Sequence, residues 1–334
     1  MPTITAWGNT EGKAPLSRHT LTIPDPGPDE VLLEVLYCGL CHSDLGHIDE
    51  ARNGTDPLVV AGHEVVGRIT AAGAGVDPGR IGQLCGLGFI AGTCRHCQYC
   101  LSGRQTLCAD LESTILGRPG GFASHVRAHQ DWVIPLPEGL DPAAAGPLLC
   151  AGVTVFEPLH SNGISPTAHV AVIGVGGLGH LALQLARAWG CQVTGITTST
   201  AKSAEILNLG AHDVRLLSDL DQQTGAYDLI INTSDHALDW DAVVAALAPD
   251  GCLHQLGLCQ TPIPLRVFPF VKGHLSFRSS LTSTPANSAT LLDFCARHQI
   301  KPLVEVLPME QINTAIERLK RGDVRYRFVL QGPA

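Results

Sequence analysis

Residues His169 to Thr198 constrain this chain more than any other stretch. A strand-like run, His169-Val170-Ala171-Val172-Ile173, breaks into Gly174-Val175-Gly176-Gly177-Leu178-Gly179. Helix formers follow, with Leu181, Leu185 and Trp189 recurring on one face. After Gly190 a second strand is expected from Gln192 to Thr197. Strand, glycine turn, helix and strand in this order form the context that a dinucleotide fingerprint requires. Gly174 permits a tight turn, Gly176 lets backbone approach a pyrophosphate, and Gly179 lets helix and strand pack closely. The first N–H groups of the helix, with Gly177 and Leu178 in the same loop, would face phosphate oxygens. The competing reading is a tight strand–helix turn that holds no ligand.

The pattern continues. Asp228–Asn232 and Gly251–Gly257 read as buried strands, and Lys202–Leu209 and Ala237–Leu247 as helices. Leu275–Leu281 is expected to be the last strand of this region. Strands alternating with helices predict a parallel, doubly wound α/β sheet. With 334 residues there is room for a second domain. Strands are expected at Val31–Tyr37, around Leu84–Ile90, at Phe122–Val126, at Trp132–Pro135 and at Arg325–Leu330. Helices are expected from Thr284-Pro285 to about His298 and from Glu310 to Arg321.

The sharpest chemical signal is Cys94-Arg95-His96-Cys97-Gln98-Tyr99-Cys100, followed by Cys108. Four thiols so spaced can close a tetrahedron around Zn²⁺ with no open position, which is a structural site. An iron–sulfur cluster and a nucleic-acid-binding zinc ribbon are the alternatives. The net charge of −9 opposes the second and predicts no nucleic-acid partner. No apolar run approaches the roughly 18 residues of a membrane span, so no membrane partner is expected. The start of the chain lacks a basic region ahead of an apolar one. The 12 cysteines are therefore read as metal ligands and reduced thiols of a cytoplasmic protein.

Further donors lie apart from that cluster. Cys41-His42-Ser43-Asp44 places a thiol, a hydroxyl and a carboxylate within four residues. Gly62-His63-Glu64 adds an imidazole and a second carboxylate, and Cys150 lies just before the glycine-turn region. Each alone would be a buried cysteine or a surface pair.

In this order, these motifs resemble the zinc-dependent medium-chain dehydrogenase/reductase family, in its cinnamyl alcohol dehydrogenase branch. Matching stretches include Cys41-His42-Ser43-Asp44-Leu45, Gly62-His63-Glu64, Pro147 to Thr154, Gly176 to His180 and Asp323 to Val329. The resemblance implies a GroES-like β-barrel catalytic domain from residues 1–151 and 283–334. A Rossmann domain of residues 152–282 would be inserted, with the active site in the cleft. It implies a catalytic zinc on Cys41, His63 and Cys150, with Glu64 able to exchange onto the metal and Asp44 orienting His63. With the four-cysteine site this makes two Zn²⁺ per chain. Ser43 would donate a proton to the alkoxide made by hydride addition, and His42 and Thr154 would contact the cofactor. Homodimerisation through Leu275–Leu281 is also implied.

Cofactor choice turns on the end of the second Rossmann strand. A carboxylate there would bind a ribose 2′-OH and repel a 2′-phosphate. Thr197 stands there instead, with Thr198, Ser199 and Lys202 after it. Hydroxyls and one ammonium suit NADP(H). Two departures from the family pattern matter. A relay histidine expected five residues after the first zinc cysteine is replaced by Gly46, with His47 next. Either His47 or water completes the relay, or the reaction needs no alkoxide protonation, as in iminium reduction. The Cys108–Gly121 loop is shorter than in plant members, which implies an open mouth and bulky, cinnamyl-type aldehydes. The alternatives are an imine or conjugated-alkene reductase on the same scaffold, and a non-catalytic redox sensor binding zinc and nucleotide.

Overall fold

The computed structural model describes residues 1–12, 14–49 and 58–333. They divide into two compact units, Met1–Cys150 with Thr284–Ala334, and Ala151–Ser283.

In the first unit, β1 (Thr3–Gly8) and β2 (Ser17–Thr22) form a hairpin. Then come β3 (Glu30–Leu40), α1 (His42–Asp49), β4 (Glu64–Ala72), β5 (Leu84–Leu87) and β6 (Ile90–Gly92). After α2 (Gln98–Leu101) follow β7 (Glu112–Ser113), β8 (His125–His129), β9 (Val133–Pro135) and α3 (Pro142–Ala145). The strand expected over Leu84–Ile90 is two strands. The chain breaks at Gly88, where a Cβ would come within 2.7 Å of the Leu149 carbonyl oxygen. The strand expected from Phe122 begins at His125 instead. Phe122 exchanges backbone bonds with Trp7 and Ala61 rather than joining a ladder.

The second unit opens with α4 (Ala151–Ser161), then β10 (His169–Ile173), α5 (Gly179–Trp189) and β11 (Gln192–Thr197). Next come α6 (Ser203–Asn208), β12 (Asp213–Leu216), β13 (Tyr227–Asn232) and α7 (Trp240–Ala245). β14 (Leu247–Gln255), α8 (Val267–Gly273) and β15 (Ser276–Ser279) complete it. The order β12-β11-β10-β13-β14-β15 is all parallel. This is the doubly wound arrangement, whose strand order reverses between β10 and β13. The expected helix over Ala237–Leu247 is shorter because Asp239 caps it, accepting from the Ala242 N–H.

The chain then returns to the first unit with α9 (Pro285–His298), β16 (Val304–Pro308), α10 (Ile312–Lys320) and β17 (Arg327–Gln331). Thr284 caps α9 through its bond from the Asn287 N–H, and Pro285 occupies the first turn, as the sequence predicts. The main sheet runs β16-β17-β3-β4-β5-β9, with β8 also on β3. Its core gathers Val31, Leu33, Val35, Leu40, Val65, Ile69, Leu87, Phe122 and Phe328. The long apolar β3 is thus the axis of the unit, and Cys41 sits at its end.

Candidate metal centre and dinucleotide turn

Asp44 assembles the first cluster. It is fully buried in the first turn of α1. One carboxylate oxygen accepts from the Cys41 N–H at 2.9 Å. The other accepts from the Gly62 N–H at 2.9 Å and from His63 Nδ1 at 2.8 Å. The bond to Nδ1 fixes the proton there and leaves the Nε2 lone pair available to a metal. Nε2 lies 3.3 Å from the Cys150 sulfur, and that sulfur lies 3.9 Å from Cys41 Sγ. Ligand atoms of Cys41, His63, Glu64 and Cys150 all fall within 4.8 Å of one another. The Phe89 ring meets His63 edge-on, at a centroid distance of 5.7 Å.

The electrostatics favour a cation. Cys41 is held well below the ordinary thiol pKa, chiefly by a hydrogen bond from Cys150, with Arg327 and His63 assisting against burial. Cys150 keeps the shared proton and is pushed up. Burial disfavours charge on His63, but the Asp44 carboxylate outweighs it and raises the imidazole pKa. Burial lifts Glu64 to about 7 despite Arg327 beside it. One Glu64 oxygen pairs with Arg327, while Oε2 is buried with no hydrogen-bond partner among the described residues. Gly39 leaves room for this carboxylate, since a Cβ there would overlap Oε2. Two sulfurs, an imidazole nitrogen and an orphaned carboxylate oxygen facing one point are a donor set that fits Zn²⁺.

Arg327 falls in the Asp323–Val329 stretch, where the sequence assigns it no role. The signal was present: an arginine opens the apolar run Phe328-Val329-Leu330, yet the residue is 4% exposed. A buried arginine needs a carboxylate, but sequence does not say which.

Ser43 is exposed at the start of α1, its hydroxyl 3.8 Å from Cys41 Sγ. His42 precedes it, also exposed, and half-buried His47 lies one helical turn beyond Ser43. Thr154 is half-buried in the first turns of α4 in the second unit.

Cys94, Cys97, Cys100 and Cys108 form the second cluster, again with ligand atoms within 4.8 Å. The Cys97 N–H donates to Cys94 Sγ at 3.3 Å and the Cys100 N–H to Cys97 Sγ at 3.4 Å. Backbone N–H groups of His96 and Cys97 lower the Cys94 thiol to about 6. Arg95 adopts a left-handed φ of 64° to wrap the loop. Four sulfurs, with no further donor grouped with them among the described residues, fit a closed structural zinc.

In the second unit Gly174 makes the tight turn and Gly179 the close helix–strand packing that the sequence predicts. Gly174 has φ +83°, and a Cβ on Gly179 would sit 1.9 Å from the Gly174 carbonyl oxygen. Among the described residues nothing lies within 4 Å of a Cβ placed on Gly176. His180 Nδ1 donates to the Gly176 carbonyl at 3.1 Å and steadies the loop. Gly177 and Leu178 complete the turn before α5. At the end of β11, Thr197 Oγ1 accepts from the Ser199 N–H. Thr198, Ser199 and Lys202 are exposed around it.

Comparison with known proteins accords with this geometry. Residues 27–138 match the alcohol dehydrogenase GroES-like domain and residues 177–297 the zinc-binding dehydrogenase domain. An aldehyde reductase of Synechocystis sp. is 47% identical over 91% of this chain and 91% of its own. The NADP-dependent alcohol dehydrogenase C 1 of Mycolicibacterium smegmatis is 35% identical, covering 99% of this chain and 98% of its own. A cinnamyl alcohol dehydrogenase structure from Sorghum bicolor superposes with a TM-score of 0.92 at 34% identity, over 99% and 98% of the two chains. These enzyme relatives set aside the non-catalytic sensor. The chain belongs to the zinc-dependent medium-chain dehydrogenase/reductase family, in its cinnamyl alcohol dehydrogenase branch, and is an alcohol/aldehyde oxidoreductase.

Proposed function

We propose that this enzyme interconverts aldehydes and primary alcohols with NADP(H), favouring aromatic or bulky substrates. The observation that carries the reading is the convergence of Cys41, His63 and Cys150 around one point, with the Glu64 oxygen beside them. A zinc ion held there would polarise the substrate carbonyl, and the reduced nicotinamide would supply the hydride. The chain's own residues do the rest. Asp44 fixes the His63 tautomer and ring. Ser43, beside the Cys41 sulfur, donates a proton to the product oxygen. His47 lies at i+4 from Ser43, on the same face of α1, and refills the hydroxyl. Gly46 leaves open space at that helix position, so water in that space is the competing relay. Glu64 would supply a further carboxylate donor to an ion held there.

The glycine turn from Gly174 to Gly179 binds the pyrophosphate, with His42 and Thr154 as further cofactor contacts. Thr197, Thr198, Ser199 and Lys202 surround the 2′-phosphate. The printed name of the mycobacterial relative, NADP-dependent, supports this choice. Cys94, Cys97, Cys100 and Cys108 hold the second zinc. Two copies of the chain associate through β15 and α8, where Val267, Phe268, Val271, Phe277 and Leu281 are exposed.

One experiment tests the core of the proposal. A panel of aliphatic and aromatic aldehydes is offered with NADPH and with NADH, and zinc is counted on the same preparation. Turnover of cinnamaldehyde or benzaldehyde, preferring NADPH, with about two zinc per chain is expected. Loss of turnover in Cys150→Ser with folding retained ties it to the cluster. Equal kcat/KM with both cofactors would overturn the 2′-phosphate assignment. A steep loss beyond small aliphatic aldehydes would overturn the bulky-substrate assignment. Imine or conjugated-alkene reduction without aldehyde turnover would favour the alternative reductase.

A further inference from the structure

The carboxyl ends of β13 and β14 carry a buried amide knot. Asn232 and Gln255 end the two strands in register. Asn232 is fully buried and Gln255 is 6% exposed. Asn232 Nδ2 donates to Gln255 Oε1 at 2.7 Å, and Asn232 Oδ1 accepts from the Ser234 N–H at 3.0 Å. Gln255 Nε2 donates to the Gly257 carbonyl at 2.7 Å and lies 3.3 Å from the Ser234 carbonyl. The same two side chains therefore bind the loop after β13 to the loop after β14. The crossing is tight: a Cβ on Gly257 would lie 2.0 Å from the Ser234 oxygen. Next to the knot, Thr233 Oγ1 donates to the Gly174 carbonyl at 2.7 Å, which joins the glycine turn to the same assembly.

A doubly wound sheet holds one mononucleotide in each half and lays the dinucleotide across the reversal of strand order. Here β10, β11 and β12 form the half that meets the adenosine side. The loops after β13 and β14 belong to the other half. Burying two amides is costly unless all their bonds are made, and here the bonds beyond the Asn232–Gln255 pair reach the loops that follow the two strands. A core that needed only packing would place apolar residues at these strand ends.

We propose that Gln255 is a positioning residue for the nicotinamide half of the dinucleotide. It acts by locking the 232–236 and 255–259 loops together, and touches neither substrate nor metal. The proposal rests on the NADP(H) reading above. Gln255→Glu keeps the shape and the bond from Asn232, but replaces the donor to Gly257 and Ser234 with an acceptor that repels both carbonyls. Gly257→Ala disturbs the same crossing from the other loop and serves if the first variant does not fold.

The test uses the zinc-loaded full chain. Dissociation constants are measured for NADPH, by its fluorescence, and for 2′-phospho-ADP-ribose, which lacks nicotinamide, by competition. Each variant is expected to bind NADPH about tenfold more weakly, while its affinity for 2′-phospho-ADP-ribose stays within about twofold of the unsubstituted enzyme. Equal weakening of both ligands, or of neither, would overturn the assignment to the nicotinamide half. Failure of the unsubstituted enzyme to bind either ligand would overturn the underlying dinucleotide reading.

Discussion

Asp44 receives three N–H groups from three places in the chain: the end of β3, the turn at Gly62 and the His63 ring. Asparagine has nearly the same shape but offers one carbonyl oxygen and an NH₂ group that faces a donor with another donor. Asp44→Asn is therefore expected to weaken metal binding at the Cys41 cluster by about 10–100-fold. Activity should fall with it, while metal analysis of dialysed protein drops toward one zinc per chain as the four-cysteine site stays filled. Unchanged zinc content would show that Asp44 is dispensable to the cluster. At this scale the sequence was informative about donors and poor about their partners. Cys41, His63, Cys150 and the four clustered cysteines are recognisable by residue type and spacing. The pairing of Glu64 with Arg327 is not, because the two are neighbours only through strands that meet late in the chain. The open side of Gly46 could not be read either, since a glycine in sequence says nothing of the space around it.

Elements built on local signals were legible. The run from β10 through α5 to β11 was readable from its glycines and helix formers, and α9 from Thr284 and Pro285. α4 was not. It is buried on most sides, so its apolar residues carry no amphipathic period to betray a helix. β14 carries an element-scale consequence in His254, which is 2% exposed. Its Nδ1 accepts from Asn162 Nδ2 at 3.3 Å and its Nε2 donates to Ser280 Oγ at 3.0 Å. Arg278 holds the other end of the Asn162 amide at 2.7 Å. Burial, with Arg278 nearby, pushes the His254 pKa down to about 4. The neutral ring is the folded form, and an unfolded histidine titrates near 6.5. Its contribution is thus fully present above about pH 6.5 and is lost as pH falls toward 4, by about 3 kcal/mol. Urea unfolding between pH 7 and pH 4.5 should lose stability less steeply in His254→Gln. Identical slopes in the two proteins would show that another group drives the acid loss.

At the scale of the whole molecule, the parallel sheet of the second unit ends at β15, whose only ladder among the described residues is with β14. An edge strand with apolar flanks invites pairing. Val267, Phe268 and Val271 on α8 are each at least 65% exposed, and Phe277 lies on the edge strand itself. A homodimer that continues the sheet across two chains would cover them. Light scattering should then report twice the chain mass, and Val271→Asp should give a folded monomer. A monomeric unsubstituted protein at micromolar concentration would remove this assembly. Among the described residues no single helix is long and apolar enough to cross a membrane.

The position of β17 has a consequence for how the enzyme is made. The metal donors lie between Cys41 and Cys150, yet the strand that carries Arg327 to Glu64 lies between β3 and β16 and follows the entire second unit in sequence. A nascent chain emerging from the ribosome therefore presents all the zinc-binding groups long before it can cover them. The Cys41 cluster is enclosed only when β17 pairs beside β3, a step that must wait until the second unit has been made.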